Sequence, residues 1–178
     1  RTSWASQHPD GTGIVVFARG QIQRVDLGTG AVTDIATVSP DIERPVIDAT
    51  GRWLFLGTWR GAPAQVMDLR TGATVLTLDQ SSVRGVFSPD GTLLTVGLPS
   101  RHQVFDTGRW DSPREFQGRE LGLSSVAGAS TVAPGNALMA YVEPPHVVRL
   151  ADPRTASILV TLPNAERFGI PDVRFSPD

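Results

Sequence analysis

The sequence has neither cysteine nor lysine among its 178 residues. Without cysteine there is no disulfide and no thiolate metal site, and the absence selects no compartment. All 16 basic residues are arginine, set against 18 acidic ones for a formal net charge of −2. A GC-rich genome accounts for this bias and for the Ala, Gly and Pro content; the competing reading is a surface built for bidentate anion recognition. No apolar run reaches the ~18 residues of a membrane-spanning helix, and no cationic-then-apolar leader opens the chain. The first residue is Arg1 rather than Met, which reads as an excerpt or a processed form. Ala, Leu and Glu never combine at helical period over three turns, so no long helix is expected.

Catalytic and metal-binding signatures are equally scarce. His8, His102 and His146 are the only histidines, with no His-x-His or His-x-x-x-His spacing, and exposed turn positions are expected for them. No Gly-x-Ser-x-Gly elbow occurs. Gly11-Thr12-Gly13 and Gly28-Thr29-Gly30 look like phosphate loops, yet neither runs into a helix that would aim its amides at a phosphate. No catalytic residue, metal or cofactor is therefore assigned.

What the chain has is punctuation. Eighteen glycines and 14 prolines are spread along a sequence that is 40% hydrophobic. Phe87-Ser88-Pro89-Asp90-Gly91 is followed by the apolar run Leu93–Val96, a turn leading into a strand. The same turn stands forty residues earlier at Asp48-Ala49-Thr50-Gly51, and forty before that at His8-Pro9-Asp10-Gly11. Ala133-Pro134-Gly135-Asn136 follows, with Asn136, tolerant of positive φ, at the glycine position. Phe175-Ser176-Pro177-Asp178 begins a fifth copy. A second marker keeps step: Val25-Asp26, Met67-Asp68, Phe105-Asp106 and Ala151-Asp152 lie 15, 17, 15 and 16 residues after the turn residue. Asp26, Asp68, Asp106 and Asp152 each belong to a different copy, so they cannot converge on one cation; they are expected to accept N–H bonds within their own turns.

A strand ending in Phe-Ser-Pro-Asp-Gly, an apolar strand, and a strand ending in hydrophobic-Asp before a Thr-Gly turn resemble the WD repeat, in a degenerate, bacterial-type form. Trp of the Trp-Asp pair is replaced by Val25, Met67, Phe105 and Ala151, and no Gly-His dipeptide occurs, so that family's Asp–His–Ser network is carried to no blade. The resemblance implies an all-β fold, a β-propeller of four-stranded antiparallel blades at a period of ~40–45 residues. About four blades and one extra strand are expected, as a single propeller-like domain or part of a larger, seven-bladed propeller.

Blade one is expected at Trp4–Gln7, Ile14–Ala18, Gln21–Asp26 and Ala31–Ala36; blade two at Pro45–Ala49, Trp53–Gly57, Gln65–Asp68 and Thr74–Leu78. Blade three takes Arg84–Ser88, Leu93–Gly97, Gln103–Asp106 and a weak strand near Arg114–Gln117, within a long irregular loop from Arg109 to Ser130. Blade four takes Ser130–Ala133, Leu138–Val142, Val147–Asp152 and Ser157–Leu162, and Val173–Ser176 opens a fifth. The core is expected at the alternating apolar positions, Val15, Phe17, Val46, Leu54, Leu56, Val66, Val86, Leu94, Val96, Val104, Leu138, Ala140, Val148, Leu159 and Phe175.

The resemblance also places two loop types on one face. Arg44 and Arg84 open inner strands; Arg19, Arg60 and Arg101 fall in the second-to-third strand connections, with Trp59, His102 and His146 nearby. Such a face suits a protein or acidic peptide partner. Nucleic acid is not expected of a net acidic chain without interleaved exposed aromatics. The leading expectation is a non-catalytic scaffold for protein–protein interaction, able to self-associate through open propeller ends. Two alternatives stand beside it: a sensor module of a larger kinase or protease chain, and a propeller hydrolase or lactonase with an axial metal.

Overall fold

A computed structural model describes residues 3–58, 61–98, 101–117, 129–143, 147–163 and 172–176, without the side chains of Arg44, Gln117 and Pro163. These residues form strands and turns and no helix. The first sheet holds β1 (Ser3–Gln7), β2 (Gly13–Ala18), β3 (Gln21–Asp26) and β4 (Val32–Thr37). The second holds β5 (Ile42–Ile47), β6 (Trp53–Thr58), β7 (Ala64–Asp68) and β8 (Ala73–Leu78). The third holds β9 (Arg84–Phe87), β10 (Leu93–Gly97), β11 (Arg101–Asp106) and β12 (Arg109–Gln117). The fourth holds β13 (Ser130–Val132), β14 (Met139–Glu143), β15 (Val147–Asp152) and β16 (Ser157–Pro163). Every sheet is an antiparallel meander in chain order. The chain divides into two compact units, residues 1–81 and 82–178, each with two such blades.

The turns explain the regularity. Gly11, Gly51 and Gly91 take φ of 73°, 74° and 73°, and Asn136 takes 58° in their stead. In each copy the N–H of that residue donates to the carbonyl three residues back, at His8, Asp48, Ser88 or Ala133, over 2.9–3.0 Å. A left-handed residue there closes the turn without a Cβ clash, which is why Gly recurs and Asn can replace it. One feature shared by all four blades has no sequence signal: a register shift in the ladder between third and fourth strands, at Ile22/Gln23, Val66/Met67, Val104/Asp106 and Leu150/Ala151. The fourth strand carries one extra residue there in blades one, two and four and three in blade three, and each such bulge adds local twist to the outer part of its blade.

Blades pack face to face within each unit. In the first, Val15, Phe17 and Ile22 meet Ile42, Leu54, Leu56 and Met67. In the second, Leu93, Val104 and Phe116 meet Met139, Tyr141 and Ala151. The inner strands β6 and β10 are buried along their whole length, as strands covered on both faces must be. Gly72 lets the turn after β7 approach β4, since a Cβ there would lie 2.6 Å from the Ile35 carbonyl oxygen.

Three expectations need correction. Arg109–Gln117 is a nine-residue strand rather than the start of a long loop, and residues 118–128 lie outside the described ones. It gains from pairing what its composition lacks: Phe116 is buried, Gln103 bonds Glu115 at 2.7 Å, and Arg114 holds Asp106 through two 2.9 Å bonds. Pro113 is tolerated on an outer strand, where no ladder N–H is required of it. Residues 172–176 belong to no sheet, so the surplus strand at Val173–Ser176 does not form; no described second strand is there to pair with it. Leu159 is exposed rather than core, because it lies on an outermost strand.

Candidate functional site

The turn that opens each blade is built differently in each copy. In blade two Asp48, fully buried, accepts N–H bonds from Trp53 at 2.7 Å and Thr50 at 3.0 Å. In blade three Ser88 takes over part of that task, accepting from Leu93 N–H at 2.9 Å and donating to Asp90 at 2.7 Å. In blade one His8 stands there and reaches across: its Nε2 lies 2.9 Å from the Gly51 carbonyl of the next blade's turn and its Nδ1 2.9 Å from Asp10 Oδ1. A Cβ on Gly51 would fall 2.2 Å from His8 Cε1, so the ring rests on bare backbone. In the second unit Asn136 does the reaching, donating 2.7 Å bonds to Asp90 Oδ2 and Thr92 Oγ1.

Of the four repeated aspartates, three act within their own turns. Asp26 Oδ1 accepts from Gly28 and Thr29 N–H, Asp68 Oδ1 from Arg70 N–H, and Asp152 Oδ1 from Arg154 N–H, at 2.7–3.0 Å. Asp106 differs, because the Thr107-Gly108 turn is too short to curl an N–H back to it, and it pairs with Arg114. The Thr29 hydroxyl and N–H pull Asp26 below the ordinary carboxylate range, Arg114 does so for Asp106, and the Arg154 N–H for Asp152.

The residues of the expected arginine face fall in both units. Arg19 is exposed in the β2–β3 turn of the first unit, at φ 55°. In the second unit Arg84 and His102 both pair with Gly97, putting Arg84 and Arg101 at one end of blade three. Both are half-buried, and Arg101 Nε lies 3.3 Å from Glu115. Arg44 lies in β5 with its side chain undescribed, and Trp59, Arg60 and His146 lie outside the described residues.

His8 and His102 are buried, against the expectation of exposed turn histidines. His102 points between blades three and four, its ring 4.6 Å from that of Tyr141 and its Nε2 3.4 Å from the Val142 carbonyl. Burial pushes its pKa down to about 4. It presents nothing to a partner and leaves the candidate face. No metal-capable cluster of His, Asp or Glu occurs among the described residues.

The feature that residue patterns did not single out is β16. Ile158, Leu159, Val160 and Leu162 are 44–56% exposed on the outermost strand of blade four. Among the described residues no strand pairs with its outer side. Its sequence, SILVTLP, carries no charge. Of the other outer strands, β12 is blunted with Arg109, Asp111, Pro113, Arg114 and Glu115 and β4 with Asp34, while β8 (ATVLTL) is uncharged like β16 but keeps Val75, Leu76 and Leu78 half-buried.

The four-stranded meander sheets and their turn geometry decide the architecture. The chain folds as β-propeller blades. Solved structures agree. It superimposes on Kuenenia stuttgartiensis hydrazine synthase with TM-score 0.62 at 17% identity, over 88% of this chain and 47% of that one. Dihydro-heme d1 dehydrogenase NirN in complex with DHE gives 0.65 at 13% identity, over 91% and 37%. A chain of the mitotic checkpoint complex gives 0.63 at 14% identity, over 88% and 49%. The chain thus spans less than half the length of each of these propeller-like proteins. No protein-family model matches it, and no curated protein matches it.

Proposed function

We propose that the chain is a non-catalytic, WD-like propeller scaffold that binds a protein partner, and that the partner lays an extended segment along β16. The carrying observation is the uncharged outer edge of that strand, which no strand pairs with among the described residues, with its four exposed large apolar side chains. An open strand edge offers a row of N–H and C=O groups to a guest strand, and alternate apolar side chains supply affinity and register. Soluble proteins normally blunt such edges, and among the described outer strands β16 is the one that joins an uncharged edge to four exposed large apolar side chains. The turn residues Gly11, Gly51, Gly91 and Asn136 and the hydrophobic-Asp pairs that keep step with them support the WD-like assignment.

The test is selection of extended peptides from a displayed library on the wild-type chain, with counter-selection on the Val160→Lys/Leu162→Lys variant. The reading expects binders rich in alternating β-branched residues that slow amide exchange in β16 and lose at least about tenfold in affinity on the variant. Binders that protect another surface and leave β16 exchanging freely would overturn it.

A further inference from the structure

Between blades one and two of the first unit lies a cavity of about 280 Å³. One wall is cationic. Arg24 reaches it from β3, and Arg70 from the turn after β7. Arg24 Nη2 is held by Asp10 Oδ2 and Thr12 Oγ1, each at 2.8 Å. Arg70 is exposed, and its guanidinium has no hydrogen-bond or ion-pair partner among the described residues. The other wall is aliphatic, from Val15, Ile35 and Leu69. His8 is taken up by Gly51 and Asp10 and closes one end.

Asp10 belongs to this wall too, and it decides the charge of the guest. Two guanidinium groups against one carboxylate leave a single positive charge, which matches a monoanion and disfavours a phosphate dianion. In the second unit the turn of the following blade carries Asn136, whose buried amide reaches Asp90. In the first unit the turn residue at that place is Gly51, and the His8 ring fills the room that its missing side chain leaves.

We propose that this cavity is a binding site for a carboxylate carried on a short branched aliphatic chain, the carboxylate paired with Arg70 and Arg24 and the aliphatic part against Val15, Ile35 and Leu69. Arg–carboxylate pairing supplies orientation, and the apolar wall supplies the desolvation that makes it effective. Two sources carry this chemistry: a free branched-chain acid, and a peptide C-terminus ending in Leu or Val. The site is distinct from β16 and does not depend on the docking reading.

The experiment is an amide-shift titration of the chain with 3-methylbutanoate, its neutral amide 3-methylbutanamide, inorganic phosphate, and N-acetyl-Gly-Gly-Leu with a free carboxyl group. Saturable shifts at Gly51, Leu69 and Arg70 are expected with the carboxylates. The neutral amide and phosphate should bind at least about tenfold more weakly, as should 3-methylbutanoate to Arg70→Gln. Arg70→Lys should recover part of the loss, and the Val160→Lys/Leu162→Lys variant should bind like wild type. Tighter binding of the peptide than of the free acid assigns the site to a chain terminus; the reverse order assigns it to a small acid. No saturation below about 50 mM, equal binding of the neutral amide, or unchanged affinity in Arg70→Gln would overturn the proposal.

Discussion

At the residue scale, function and stability turn on a few side chains that cross from one blade to the next. His8 lying on Gly51 is the tightest. Gly51→Ala puts a Cβ at a positive φ and into the imidazole, and should cost roughly 3 kcal/mol. Urea unfolding followed through amide exchange of β2 and β6 reads this directly. Combining Gly51→Ala with His8→Ala should recover the steric part and leave the φ part, so the double variant should be less damaged than the sum of the singles. His102 gives a pH signature. Its folded pKa of about 4 lies below the 6.5 of a free imidazole, so the unfolded chain binds more protons between those values. Stability is full above pH 6.5, falls as the pH drops toward 4, and loses on the order of 3 kcal/mol in total. A Tm series from pH 7 to pH 4.5 should show that fall in wild type and little of it in His102→Gln, which cannot titrate. Equal falls in both would place the proton elsewhere.

At the element scale, turns and outer strands behave differently. The opening turn of blade two rests on one buried carboxylate serving the Trp53 and Thr50 N–H groups, so Asp48→Ala strands buried donors and should cost about 2–3 kcal/mol. Asp48→Asn, which keeps an acceptor, should cost clearly less in the same urea titration. Sequence reasoning reaches this scale well, because strands and turns are written locally. Period-2 alternation and recurrent Gly located β1 to β11 and β13 to β16 within a few residues, and the positive φ of Asn136 followed from its place in the repeat. It failed where structure depends on distant partners. β12 is polar and contains Pro113, yet it pairs because Arg114 finds Asp106 and the Pro153 carbonyl. Leu159 alternates like a core residue but lies on an uncovered strand. The burial of His8 depends on Gly51, 43 residues away, and that of His102 on Val142, 40 away. Exposure at β16 likewise depends on what lies beside it, which no local pattern records.

At the scale of the whole molecule, carboxylates set the acid limit. Asp10 is held low chiefly by the Thr12 N–H, and Asp26, Asp106 and Asp152 by the partners described above. For Asp90, burial works the other way and is outweighed by Thr92, Ser88 and Asn136. Each has a folded pKa below the 3.8 of a free aspartate, so its stabilisation is complete above that value and is lost as the pH falls through the folded pKa. Acid unfolding should therefore show two stages, a His102 stage above pH 4 and a carboxylate stage below it, and circular dichroism from pH 7 to pH 2 should resolve them. One long collapse confined to pH below 4 would remove the histidine stage.

The docking account rests on β16 having an open outer edge, and residue-resolved amide exchange of the free chain tests that most directly. Alternate amides of residues 157–162, those aimed away from β15, should exchange at near-intrinsic rates while their neighbours, bonded to β15, are protected. Uniform protection along the strand in dilute solution would mean that the edge is already covered, and would contradict the account.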